Sequence, residues 1–234
     1  MKSPDVLLSS VPGRDWYLRP VLDVARDLLG ATLTTRTPDG VVSLRLTEVE
    51  AYDGATDPGS HAYRGPTRRN ATMFGQPGRL YVYRHLGLHH CVNVVCGPEG
   101  EASAVLVRAG EVVDGVDLAR SRRLASGVAR TDRDLARGPA RLAVALGLDL
   151  SADGADVTDP EGDVVLARPL VEPTPSAEPA PLVEPVEATA IRTGPRVGVS
   201  GDGGRADLHP WRLWLDGEET VSAYRAAQPR RRSR

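Results

Sequence analysis

Apolar residues recur along this chain with two periods. Between Pro20 and Leu29, the residues Val21, Leu22, Ala25, Leu28 and Leu29 return at helical spacing. Pro20 suits a first helical turn and Gly30 a stop. The period then falls to two. Ala31–Thr37 and Val41–Glu50 read as a hairpin around Pro38-Asp39-Gly40, and Arg79–Arg84 with His89–Val95 as a second, with Leu86-Gly87 at its tip. A further strand is predicted at Ala104–Arg108, and closing strands at Arg196–Ser200 and Trp211–Leu215. Helices are predicted over Val113–Leu124 and Pro139–Leu146. Runs of strands with scattered helices predict a single α+β domain around a mainly antiparallel sheet.

The breaks in the pattern set the boundaries. Residues 1–13 read as a flexible lead-in, 14–220 as the folded domain and 221–234 as an arginine-rich tail. A Pro-rich insert at about 169–188 has no core of its own. Asp53 to Gly78 is rich in Gly, Pro, Arg and Asp, and is long for a connection in a compact domain. Such loops are functional or disordered.

Composition then narrows the classes. The chain has 234 residues, enough for one sizeable core. No apolar run spans a bilayer and no signal-peptide pattern opens the chain, which predicts a cytoplasmic protein. Cys91 and Cys96 are the only cysteines and read as buried free thiols. The net charge of −2 conceals clusters at Arg64–Arg69, Arg120–Arg141 and Arg230–Arg234. Such clusters can neutralise phosphates, and can equally be a solvated surface.

Candidate chemistry gathers around one strand. Strict alternation over Val41–Glu50 puts Val42, Leu44, Leu46, Glu48 and Glu50 on one side. A carboxylate at the edge of a buried face is partly desolvated and becomes a better base; it can also be a structural partner for an arginine. Tyr52 continues the same side, and Tyr81 and Tyr83 share a face of the second hairpin. Aromatics beside a carboxylate suit flat ligands that stack, or plain core packing. Leu86 is an apolar residue at a hairpin tip, where polar residues are usual. There it could wedge between base pairs. His85, His89, His90 and Cys91 lack the spacing of a metal site, so no metal and no cofactor are expected. No G-x-S-x-G elbow and no phosphate-binding P-loop are present.

The stretch Thr47-Glu48-Val49-Glu50-Ala51-Tyr52, with Ser60-His61, Arg69-Asn70, Met73-Phe74, Pro77-Gly78 and Leu80-Tyr81-Val82-Tyr83, resembles the mammalian-type alkyladenine (3-methyladenine) DNA glycosylase family. Asn93, Leu106-Val107-Arg108, Gly138-Pro139 and Arg196-Val197-Gly198-Val199 continue the resemblance. It implies a fold like the C-terminal domain of methionyl-tRNA formyltransferase and an enzyme that flips and hydrolytically releases alkylated or deaminated purines. It implies Glu50 as the general base that activates water, and Arg108 as the arginine that holds carboxylate and water. Tyr52 matches the ring on one face of the flipped base, and His61 and Tyr83 the groups on the other. Asn93 matches a pocket residue that disfavours guanine, and Leu86 stands where the family carries an intercalating tyrosine. The implied partner is duplex DNA containing damaged purines, bound by a monomer associated with the nucleoid. Lesions of the 3-methyladenine, 7-methylguanine, hypoxanthine and ethenoadenine class all remain open, as does the choice between Val197 and Val199 as pocket lining.

Independently of the resemblance, Lys2 is the only lysine. A glycosylase that also nicks the backbone needs an amine for a Schiff base, so the sequence favours a water-using, monofunctional enzyme. The competing reading is a nucleic-acid-binding module of the same fold without catalysis. Glu50 with Arg108 separates the two, because a pure binder has no use for a desolvated carboxylate beside a phosphodiester.

Overall fold

The computed structural model describes residues 11–168 and 190–227. Most of the lead-in, the Pro-rich insert and the end of the tail lie outside the described residues. The expected α+β class holds, and every strand pairing is antiparallel. Strands β1 (Thr32–Thr37), β2 (Gly40–Asp53), β3 (Leu80–His85), β4 (His89–Cys96), β5 (Ser103–Asp114) and β6 (Val164–Ala167) run in the order β3-β4-β5-β2-β1-β6. Strands β7 (Ile191–Gly194) and β8 (Arg212–Leu215) form a branch that joins β2.

Helices α1 (Val21–Leu28), α2 (Val116–Ala125) and α3 (Pro139–Leu146) serve the core on one face of this sheet. The apolar stripe of α1, with Val21, Val24, Ala25 and Leu28, joins Leu142, Ala143, Ala145 and Leu146 of α3 against Val42, Leu44, Val92, Val94, Val105 and Val107. Helix α3 begins with Pro139 in its first turn and ends on Gly147, whose left-handed φ of 71° closes it.

Two element boundaries differ from the periodicity. The strand predicted at Ala104–Arg108 extends to Asp114, so the helix expected from Val113 starts only at Val116, after Gly115. The strand predicted at Arg196–Ser200 is irregular; the paired segment is Ile191–Gly194 instead. Pro195 has no N–H for a ladder, and the Arg196 side chain turns inward to a buried carboxylate.

The long strand β2 carries the decisive irregularity. Its first half pairs with β1, from Thr37↔Gly40 to Thr32↔Arg45. Its second half pairs with β8 on that same edge, from Glu48↔Trp214 to Glu50↔Arg212. Along its other edge, β5 follows it from Ser43↔Asp114 to Asp53↔Ser103, with register slips on both sides of Glu48. An extra residue in one strand reverses the alternation beyond it. Val42, Leu44 and Leu46 face the core before the bulge, and Val49 and Ala51 face it afterwards. Glu48 and Glu50 therefore do not share a face with Val42, Leu44 and Leu46, as simple alternation predicts. They point to the opposite side of the sheet, where no helix covers them.

Gly110 sits against this bulge, paired with Leu46. A Cβ there would lie 2.7 Å from the Arg45 carbonyl oxygen. Gly110→Ala is therefore expected to lower unfolding stability by about 1–3 kcal/mol through overpacking, as read from urea titration.

Candidate active site

On the face away from the helices, β2 presents Glu48, Glu50 and Tyr52, β5 presents Leu106 and Arg108, β4 presents Cys91 and Asn93, and β3 presents Tyr81 and Tyr83. This follows from the pairings Glu50↔Leu106, Asn93↔Leu106 and Tyr83↔Cys91, which place these residues side by side on four adjacent strands.

The two glutamates are both fully buried, yet their partners differ. Glu48 accepts from Arg212 Nε at 2.6 Å, Arg108 Nε at 3.0 Å, the Ser222 backbone N–H at 2.7 Å and the Ser222 hydroxyl at 2.9 Å. Three of these donors converge on Oε1, and the Ser222 N–H takes Oε2. Glu50 accepts from the Val197 backbone N–H at 2.7 Å and from the Tyr52 hydroxyl at 2.8 Å, with Arg108 Nη1 at 3.3 Å. Each oxygen thus takes one hydrogen bond, with Arg108 as an ion-pair contact, and the carboxylate can accept a further donor such as water. Arg108 thus bridges both carboxylates. Burial lowers its proton affinity, and the charges of Glu50 and Glu48 more than restore it, so it stays a cation.

A second buried cation anchors the site from below. Arg196 is 0% exposed and pairs with Asp57, also 0% exposed, through Nη1 at 2.5 Å and Nη2 at 2.6 Å. Its guanidinium also donates to the carbonyls of Ala51 and Gly203. The flat of the guanidinium lies 4.4 Å from the centroid of the Tyr52 ring and 5.4 Å from that of Trp211. Burial, then the Glu50 charge, pushes the Tyr52 phenol well above its ordinary range, so it remains a hydrogen-bond donor to that carboxylate.

The opposing wall is aromatic. The rings of Tyr81 and Tyr83 stack at 5.5 Å, and His61 meets Tyr83 edge-on at 4.5 Å. His61 Nδ1 lies 3.2 Å from the Tyr81 hydroxyl. The Tyr81 phenol is raised to about 12, chiefly by burial. His61 comes from the long loop after β2, which is held by the buried side chain of Asn70. That amide accepts from the Thr67 N–H and hydroxyl and donates to the carbonyls of His61 and Gly65. One edge of the imidazole is open to solvent, but partial burial, followed by the Arg69 and His85 charges, holds its pKa below the usual value. Asn93 is fixed by a bond from Nδ2 to the Tyr81 carbonyl at 3.0 Å. Cys91 and Cys96 are buried free thiols.

The β3–β4 hairpin carries Leu86 at its tip, 79% exposed and with a φ of 50°. Leu88, beyond Gly87, is 77% exposed. Sequence reasoning singled out Leu86 alone, although Leu-Gly-Leu was visible. It also passed over Arg212, Ser222 and Asp57, and the roles of Asn70 and Arg196. Glu50, Arg108, Tyr52, His61, Tyr83 and Asn93 all come together on one face, while Leu86 stands apart at the hairpin's end. Among the described residues, no group of three or more His, Cys, Asp or Glu is arranged to hold a metal ion.

This geometry agrees with what the chain resembles. Residues 15–219 match the profile of the methylpurine-DNA glycosylase family. A protein of Streptomyces avermitilis is 57% identical, with 94% of each chain covered. One from Leifsonia xyli subsp. xyli is 54% identical, covering 95% of this chain and 96% of that one. One from Mycobacterium tuberculosis is 45% identical, covering 86% and 88%. All three are provisionally named 3-methyladenine DNA glycosylases. The family match identifies an enzyme of DNA base excision, a DNA glycosylase. The chain belongs to the methylpurine-DNA glycosylase family.

The lowered pKa of His61 has a sign that can be tested. The folded state disfavours the imidazolium, so the unfolded chain binds more protons as pH falls through about 6.5. The contribution of His61 to stability is complete above that pH and is lost as pH falls. His61→Gln is expected to flatten the decline in thermal stability between about pH 7 and pH 5 relative to the parent, measured by calorimetry across that range.

Proposed function

We propose that this DNA glycosylase binds duplex DNA as a monomer, flips an alkylated or deaminated purine out of the helix, and cuts its N-glycosidic bond with water activated by Glu50. The observation that carries this reading is the full burial of Glu50, with two hydrogen-bond donors and an ion-paired arginine on its carboxylate. A fixed, dry carboxylate is worth most where positive charge develops, here at C1′ as the purine departs. The same group takes the proton of the attacking water.

The flipped purine stacks between Tyr52 on one side and His61 with Tyr83 on the other. Flipping costs a few kcal/mol, least for damaged or mispaired bases, and this supplies part of the selectivity. Asn93, with its amide tied to the Tyr81 carbonyl, crowds the exocyclic amine of guanine. The relatives' names point to 3-methyladenine, and 7-methylguanine, hypoxanthine and ethenoadenine are the further lesions of the proposed class. Lys2 is the only lysine, which favours water over a Schiff base as the nucleophile and an abasic site in an intact backbone as the product. Leu86 fills the space the base leaves. Such a substrate places the enzyme in the cytoplasm, at the nucleoid.

Glu50→Gln is expected to slow base release from a lesion duplex by at least about 10²-fold while binding to an abasic-site analogue persists. Loss of both together would assign Glu50 to folding instead. Leu86→Ala is expected to weaken binding to a lesion duplex more than to the same single strand, measured by fluorescence anisotropy. Equal loss on both would remove the wedge assignment.

A further inference from the structure

We propose that the buried Asp57–Arg196 ion pair is the positioning element for Glu50, an inference that rests on Glu50 being the base. Glu50 accepts one hydrogen bond at each oxygen, and both donors are attached to Arg196, while Arg108 adds an ion pair of its own. The Oε1 atom accepts the N–H of Val197, the next residue in the chain. The Oε2 atom accepts the hydroxyl of Tyr52, whose ring lies against the guanidinium face.

Arg196 itself has no freedom. Its Nε, Nη1 and Nη2 make five hydrogen bonds, to the Asp57 carboxylate and the carbonyls of Ala51 and Gly203. A guanidinium has five N–H groups, so none is left over. Asp57 is equally committed: Oδ1 accepts the Gly59 N–H at 2.8 Å and Oδ2 the Asp53 N–H at 3.2 Å. The Asp57 carbonyl also caps the turn at Ser60, immediately before His61. The two loops can meet this closely because Gly203 lies on Gly59; a Cβ on Gly203 would be 2.4 Å from the Gly59 nitrogen.

One ion pair thus registers the carboxylate, the ring on one side of the base and the loop carrying the imidazole on the other. A buried pair adds little net stability over apolar residues of the same shape, so geometry is the role that accounts for it.

The test uses Asp57→Asn, Arg196→Lys and Gly203→Ala in the full chain, with Glu50→Gln alongside. Single-turnover base release, affinity for a duplex with a tetrahydrofuran abasic analogue, and the amide proton shift of Val197 in ¹⁵N-valine-labelled protein are measured. A positioning role predicts that release falls about 10- to 100-fold. Affinity should stay within about twofold of the parent, and the Val197 amide resonance should move upfield as its bond to the carboxylate lengthens. Unchanged release in folded variants overturns the inference. So does a parallel loss of release and affinity with all resonances shifted, and so does failure of all three variants to fold. If Glu50→Gln releases base normally, the reading of Glu50 fails. If only that variant is inactive, the positioning inference alone fails.

Discussion

Two carboxylates buried on one face of a strand need positive partners close by. Glu48 and Glu50 share Arg108, with Arg212 supplying a second positive charge at Glu48. Everything else in the site is arranged around this balance. The bulge in β2 turns both acids to the face without helices, and the exchange of β1 for β8 on that edge brings Arg212 opposite Glu50. The two acids differ in how many donors hold them. Glu48 takes four hydrogen bonds, from Arg108, Arg212 and Ser222, while Glu50 takes two, from Val197 and Tyr52.

The local elements were legible because their signals are local. Period, proline and glycine located α1, α3 and both hairpins to within a few residues. The alternation along β2 was a sound rule applied across a bulge, and nothing in Leu46-Thr47-Glu48 announces one. The face assigned to Glu50 relative to Val42, Leu44 and Leu46 was therefore inverted. Tyr52 was still placed correctly beside Glu50, since both lie beyond the irregularity. Resemblance brought together the residues that line the pocket. It did not bring in those that hold the lining in place. Asp57 and Arg196 are 139 positions apart, and neither periodicity nor spacing connects them. Leu88 was missed because one exposed leucine looked sufficient at the tip.

The two sides of the pocket are secured differently. The acid side rests on buried ion pairs, which tolerate little displacement in a low-dielectric setting. The aromatic side rests on a loop closed by Asn70, and on an imidazole with one edge in solvent. This asymmetry sets a carboxylate fixed by buried ion pairs against a wall fixed by a loop and by ring contacts.

The Ser222 N–H that caps Glu48 lies 174 residues further along the chain. Contacts of such sequence separation form late, after the sheet they complete. During synthesis, β1 to β5 can assemble while Glu48 and Glu50 still lack Arg212, Ser222 and the Val197 amide. A ribosome-bound chain therefore leaves its two acids without these partners until β8 and Ser222 have emerged, so the site is completed long after the strand that carries its acids.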